Sequence, residues 1–270
     1  MKRRFFLAAT ATRVFQSARL ARRYPVHLRW PQALTLGTPL PVVLVLDGAP
    51  AFPWLHAVCD FMRRHAQGRG LADFLLVALG YAQGESAASS RRRDCTPWQP
   101  ARPPKGSAAQ DFGGAAAYAD HIKEELLPWL VQTAAARTEQ ATLLGHSYSG
   151  LFACWLAMHR PQLFPNLVAS SPSLWLDYRR LPKEAEALKR WHGPQRLFLG
   201  VGGLERVRKG DDRYNQDDDM VADMEDFARR LKRLGQGADR LPSQVQEHDD
   251  HATAMLGNYT QGSRWILPRK

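Results

Sequence analysis

The chain has 270 residues, 44% of them hydrophobic and 23% charged, with a formal net charge of +11. That length can bury one large core, so one domain spanning 1–270 is the expectation. No apolar run approaches the roughly 20 residues needed to cross a bilayer, which excludes a membrane-spanning helix.

The basic start MKRRFFLAATATR imitates a secretion signal, but its apolar stretch is short and Arg13 interrupts it, so residues 1–12 are read as a flexible start. The expected compartment is the cytoplasm, with the periplasm as the alternative. Cys59, Cys95 and Cys154 are an odd count without metal-like spacing and fit reduced thiols. No Asp or Glu precedes Asp47, and a second basic cluster contains Arg91, Arg92, Arg93, Arg102 and Lys105. Such a surface attracts anions, yet no nucleic-acid module surrounds it, so nucleic acid is not an expected partner.

In chain order, Val14 to Trp30 alternates loosely enough for an edge hairpin limited by Pro25 and Pro31. PVVLVLDG, from Pro41 to Gly48, is an apolar, β-branched run ending in a turn, as expected of a strand buried on both faces. A helix over Pro53 to Arg64 and a second such strand, Phe74 to Tyr81, follow. The stretch 82–113 is polar and aperiodic and reads as a long loop near the site. Ala115 to Ala136 is helical by composition, with a bend at Pro128. The strand ATLL then enters the GHSYSG turn, and LFACWLAMH has helical spacing.

The alternation continues with LVAS, a helix from Pro182 to Trp191, the strand RLFLGVGG, and an amphipathic helix from Asp217 to Leu234. SQVQEH is the last strand candidate, and Asn258 to Leu267 a closing helix. These elements predict an α/β fold: a mostly parallel central sheet with helices on both faces and an N-terminal antiparallel edge.

A serine hydroxyl needs a neighbouring base and an exposed perch, and a tight strand-to-helix turn of the G-x-S-x-G type supplies the perch. Gly145 and Ser147 fit that pattern; its fifth position is Ser149, with Gly150 beyond. The base and acid should stand at later strand ends, in the order nucleophile, acid, histidine. His159 and His192 are poorly placed, whereas His248 and His251 both follow the last strand candidate. Glu205 is the first carboxylate after RLFLGVGG, with Asp211 and Asp212 as alternatives. The N–H groups that stabilise the oxyanion would come from Tyr148 and from the Asp47-Gly48-Ala49 turn, where Gly48 would let the backbone approach substrate.

The blocks PVVLVLDG, GYAQ with a later RRRDCTP, GGAAAYADHIKEELLPWL, LLGHSYSGLFACWLA, FPNLVASSPSLW, GVGGLE and EHDDHATAM resemble, in that order, the esterase D branch of the α/β-hydrolases. Within it they are most similar to the ferric-enterobactin (enterochelin) esterase group, from about residue 14 onward. The resemblance implies an α/β-hydrolase fold with Ser147 as nucleophile, His251 as base, Glu205 as acid and Ala49 as second oxyanion donor. Ser149 and Ala252 depart from the glycines usual in the family. The implied reaction is hydrolysis of carboxylic ester bonds through an acyl-enzyme, with the ester or lactone bonds of an anionic, aromatic catecholate siderophore as candidate substrate. Arg93, Trp98 and Trp175, with Trp30 as a further ring, are candidate substrate contacts. No cofactor and no metal is expected, and nothing in the sequence signals an oligomeric state.

The alternatives are an acyltransferase or a general carboxylesterase on the same fold. A metal hydrolase built on His248, Asp249, Asp250 and His251 with Asp217 to Asp219 has poor ligand spacing.

Overall fold

The computed structural model describes residues 7–31, 38–65, 70–235 and 239–268. Two strands, β1 (Thr10–Ser17) and β2 (Arg22–Arg29), form an antiparallel hairpin at one edge. β1 therefore begins inside the stretch 1–12 expected to be flexible; the signal-like residues 1–6 lie outside the described residues. Pro25 interrupts neither pairing of β2. It sits opposite Val14, and its carbonyl accepts from the Gly80 N–H at 2.9 Å, so its missing N–H is not needed.

The remaining strands are β3 (Leu40–Val45), β4 (Leu75–Leu79), β5 (Ala136–His146), β6 (Asn166–Ser170), β7 (Arg196–Gly202) and β8 (Ser243–Gln246). They extend the sheet in the order β1-β2-β4-β3-β5-β6-β7-β8, with every pairing from β4 to β8 parallel. The uninterrupted apolar runs follow from this position, because alternate residues serve two cores. Val42 and Leu44 of β3 face the larger core, and Val43 and Val45 the smaller. Each such side chain contributes about 1.5–3 kcal/mol on leaving water.

The smaller core is closed by α1 (Gly48–His65) and α8 (His251–Ile266). The larger lies under α2 (Ala87–Cys95), α3 (Ala115–His121), α4 (Leu127–Ala134), α5 (Tyr148–His159), α6 (Leu176–Ala187) and α7 (Met220–Arg233). Among the described residues no helix is long and apolar enough to cross a membrane.

Several boundaries differ from expectation for identifiable reasons. α1 starts five residues before Pro53, because Asp47 adopts a left-handed turn (φ 55°) that ends β3 at once. The supposed loop 82–113 contains α2, which Ser86 caps by accepting from Ser89 N–H. Its buried face is polar: Ser90 accepts from Ala82 N–H and Asp94 from the Tyr24 hydroxyl, so no apolar period betrays it. Before Pro128 the chain makes a π-helical turn, Ile122–Leu126, between α3 and α4. β5 begins at Ala136, well before ATLL. α6 begins and ends earlier than Pro182 to Trp191, opening through a left-handed turn at Asp177, Tyr178 and Arg179. α8 starts at His251 rather than Asn258, under a capping box made by Asp250 and Thr253. Gly257 and Gly262 weaken its helical signature, yet both are where the helix lies against Gln246 and Val168.

Candidate active site

All the candidate catalytic groups stand at the carboxyl ends of the parallel strands, where an open α/β sheet leaves a crevice. Ser147 follows β5 directly, with φ 60° and ψ −118°, a strained conformation for a residue with a side chain. Gly145 makes that elbow possible: a Cβ there would lie 2.1 Å from the Ser149 carbonyl oxygen. Ser147 N–H donates to the Ser170 carbonyl, and Leu151 N–H bonds back to Ser147. The Ser147 hydroxyl lies 3.4 Å from that of Ser173, a buried residue in the SPSLW block.

Glu205 follows β7 in a single 3-10 turn and is 1% exposed. It accepts from Gly202 N–H at 2.9 Å and from the Ser171 hydroxyl at 2.6 Å. His251, the first residue of α8, donates Nδ1–H to Glu205 Oε2 at 2.6 Å; the carboxylate can only accept, which fixes the tautomer and leaves Nε2 free. The contact requires the loop after β8 to cross the end of β7 closely. A Cβ on Gly202 would lie 2.4 Å from the Asp249 carbonyl oxygen, and Leu204 N–H donates to that same oxygen.

Of the alternatives open in the sequence, Asp211 is paired with Arg213, Asp212 is exposed, and His248 is exposed on the loop. Among the acidic residues of the metal reading, Asp219 caps α7 and Asp250 caps α8.

The base is tied to the elbow through His146. Its ring packs on His251 with centroids 4.5 Å apart, and its Nδ1 is 3.1 Å from the Ser170 hydroxyl, which also accepts from Asn258. Burial, then the neighbouring His251 and Arg91, push its pKa well below the ordinary histidine range. His146 is therefore neutral at neutral pH and does not oppose a charge on His251.

Ala49 and Tyr148 each lie in the first turn of a helix, α1 and α5, where backbone N–H groups have no intrahelical acceptor. At Gly48 a Cβ would strike Ala78 of β4 at 2.5 Å, so the glycine is needed for helix-to-sheet contact.

The expected substrate contacts divide. Trp175 lies at the site, its ring 6.2 Å from that of Tyr148. Trp98 is a core side chain with Arg180 4.6 Å over its ring, and Trp30 follows β2 beside the start of β4, at the opposite end of the sheet. Arg93 is engaged by Asp94 and Glu85. One position earlier on α2, turned by about 100°, Arg92 pairs with Asp111 at 3.5 Å and holds its guanidinium carbon 5.5 Å over Phe112, whose ring meets Tyr148 edge-on. A concavity of about 690 Å³ lies away from this end, between α3, α4 and the close of α5, and carries none of these residues.

Residues 17–233 match the family described as "Putative esterase". The siderophore triacetylfusarinine C esterase of Aspergillus fumigatus is 31% identical over 258 residues, 88% of this chain and 85% of that protein. The ferri-bacillibactin esterase BesA of Bacillus subtilis is 25% identical over 213 residues, 76% of this chain and 74% of the relative. Among solved structures, the BES protein from Bacillus cereus superposes with a TM-score of 0.79 at 25% identity, covering 99% of both chains.

Proposed function

Because the chain belongs to the esterase family, and within it to the enterobactin-esterase-like group, it is a serine carboxylic-ester hydrolase, and we propose that Ser147, Glu205 and His251 are its triad and a siderophore ester its substrate. The observation that carries the triad is the 2.6 Å bond from His251 to the buried Glu205, with the His251 ring packed against His146, the residue before a serine held at φ 60°.

In this reading the Ser147 oxygen adds to the ester carbonyl carbon while His251 Nε2 takes its proton. Glu205 stabilises the resulting imidazolium without taking that proton. The N–H groups of Tyr148 and Ala49 hold the oxyanion, a contribution worth about a hundredfold or more in kcat per donor. Collapse breaks the ester C–O bond, the leaving alkoxide takes the proton from His251, and water then repeats the sequence on the acyl-enzyme.

An anionic, aromatic substrate is supported by the rim, where Arg92 lies over Phe112 and Tyr148 stands beside Trp175. Buried, unpaired Cys59, Cys95 and Cys154 favour the reducing cytoplasm as the compartment.

Two measurements test the proposal. Ser147→Ala should lower kcat by more than about a thousandfold with an unchanged circular dichroism spectrum; retained turnover would refute the nucleophile. A ferric catecholate trilactone should be cleaved with a higher kcat/KM than a panel of p-nitrophenyl esters; the reverse order would leave a general carboxylesterase.

A further inference from the structure

Ser149 occupies the position where the elbow pattern has its second glycine, and the structure gives its hydroxyl specific work. The oxygen accepts from His146 N–H at 2.7 Å, and its proton faces Asp47 Oδ2 at 2.7 Å. The His146 carbonyl is also near, at 2.8 Å, but it already accepts from Arg91 at 3.1 Å, and the carboxylate is the stronger acceptor. Arg91 also holds both oxygens of Asp47, through Nε at 3.2 Å and Nη2 at 2.9 Å. Asp47 itself is buried and left-handed, immediately before Gly48 and Ala49.

These bonds join three segments that meet nowhere in sequence: the turn after β3, helix α2 and the serine elbow. Two of the three carry the proposed oxyanion donors, Ala49 two residues beyond Asp47 and Tyr148 one residue before Ser149. We propose that Ser149 is a positioning residue which, through Asp47 and Arg91, sets the spacing of the two backbone donors around the oxyanion. This rests on the oxyanion assignment above and adds to it the element that fixes the geometry. A glycine at position 149 would leave His146 N–H and Asp47 without this partner, and Arg91, which bonds Asp47 and the His146 carbonyl, would remain as a side-chain link between the two turns.

The test is Ser149→Gly, which needs no added space and supplies the residue usual in the motif, with Ser149→Ala as a second variant. A misplaced donor weakens binding of the transition state more than that of the ester. The expected result is therefore a fall in kcat of about tenfold with KM within twofold. Inhibition by an aryl trifluoromethyl ketone, whose adduct carries the oxyanion, should weaken by the same factor, while inhibition by the product carboxylic acid stays unchanged. Asp47→Asn should give a similar loss, and the double variant no more than the larger single one, since the two act as a unit. A purely structural role would lower Tm and leave kcat and the ketone's affinity at wild-type values, which would overturn the proposal. Ser147→Ala, run alongside, separates the two readings. If it is active the nucleophile assignment fails, whereas if it is dead and the Ser149 variants are unimpaired only the positioning role fails.

Discussion

Glu205 is held on three sides, by Gly202 N–H, the Ser171 hydroxyl and His251 Nδ1–H, and this bonding decides what a substitution there does. In Glu205→Gln the side chain keeps its shape, but an amide N–H₂ facing Nδ1 favours the wrong tautomer and gives no charge to balance the imidazolium. The expected loss in kcat is about 10³-fold, with little change in KM, measured on any activated ester. Asp211→Asn, by contrast, weakens its pairs with Arg213 and Arg208 on the surface, and kcat should stay within twofold. At this scale order along the chain pointed to Ser147 and to Glu205 as the first acid candidate but left His248 and His251 both open; the family resemblance singled out His251, and the structure brings that residue to Glu205. Residues that act by contact across distant segments left no such trace. Ser173 beside the nucleophile hydroxyl, Ser171 on Glu205 and Arg91 on Asp47 emerge only from the folded geometry. Arg93 and Trp98 carried the right chemistry, but Arg93 is paired with Glu85 and Asp94, and the Trp98 ring is buried under Arg180.

The elements that place those residues depend on close approach, and close approach is what a sequence pattern conceals. The crossing of the β8–α8 loop over β7 rests on Gly202 having no side chain. Gly202→Ala should push the Asp249 carbonyl away, and with it the start of α8 and His251. A several-fold loss of kcat is expected together with a lower Tm, and wild-type kinetics in this variant would show that the loop has slack. Buried strands were legible because both faces are apolar, so β3 and β4 announce themselves. Helices were legible where apolar residues mark them: α7 has one apolar face and α5 is apolar along most of its length, whereas α2 packs through Ser90 and Asp94, and α8 carries glycines at its sheet contacts.

For the molecule as a whole, the alternation of strands and helices implied the mostly parallel sheet and its antiparallel edge, but not the energetic cost of the polar groups buried within it. His121 and His146 are both buried, and burial is the largest cause holding each below the ordinary histidine pKa. Their folded forms therefore bind fewer protons than the unfolded chain once the pH drops below about 6.5. Since stability rises with pH wherever the unfolded state binds more protons, stability must fall as the pH is lowered from that point. Glu125 adds a second loss lower down. Burial alone would raise its pKa, but bonds from Ser17, His121 and Arg19 N–H outweigh this and bring it to about 2, so its contribution, full above the unfolded pKa, is lost as pH falls from near 4.5 toward 2. Thermal unfolding followed from pH 8 to pH 4 should show Tm level down to about 6.5 and declining below it. In His121→Gln, which keeps a donor toward Glu125 but cannot take up a proton, the decline should be shallower; an equal slope in that variant would remove His121 from the account.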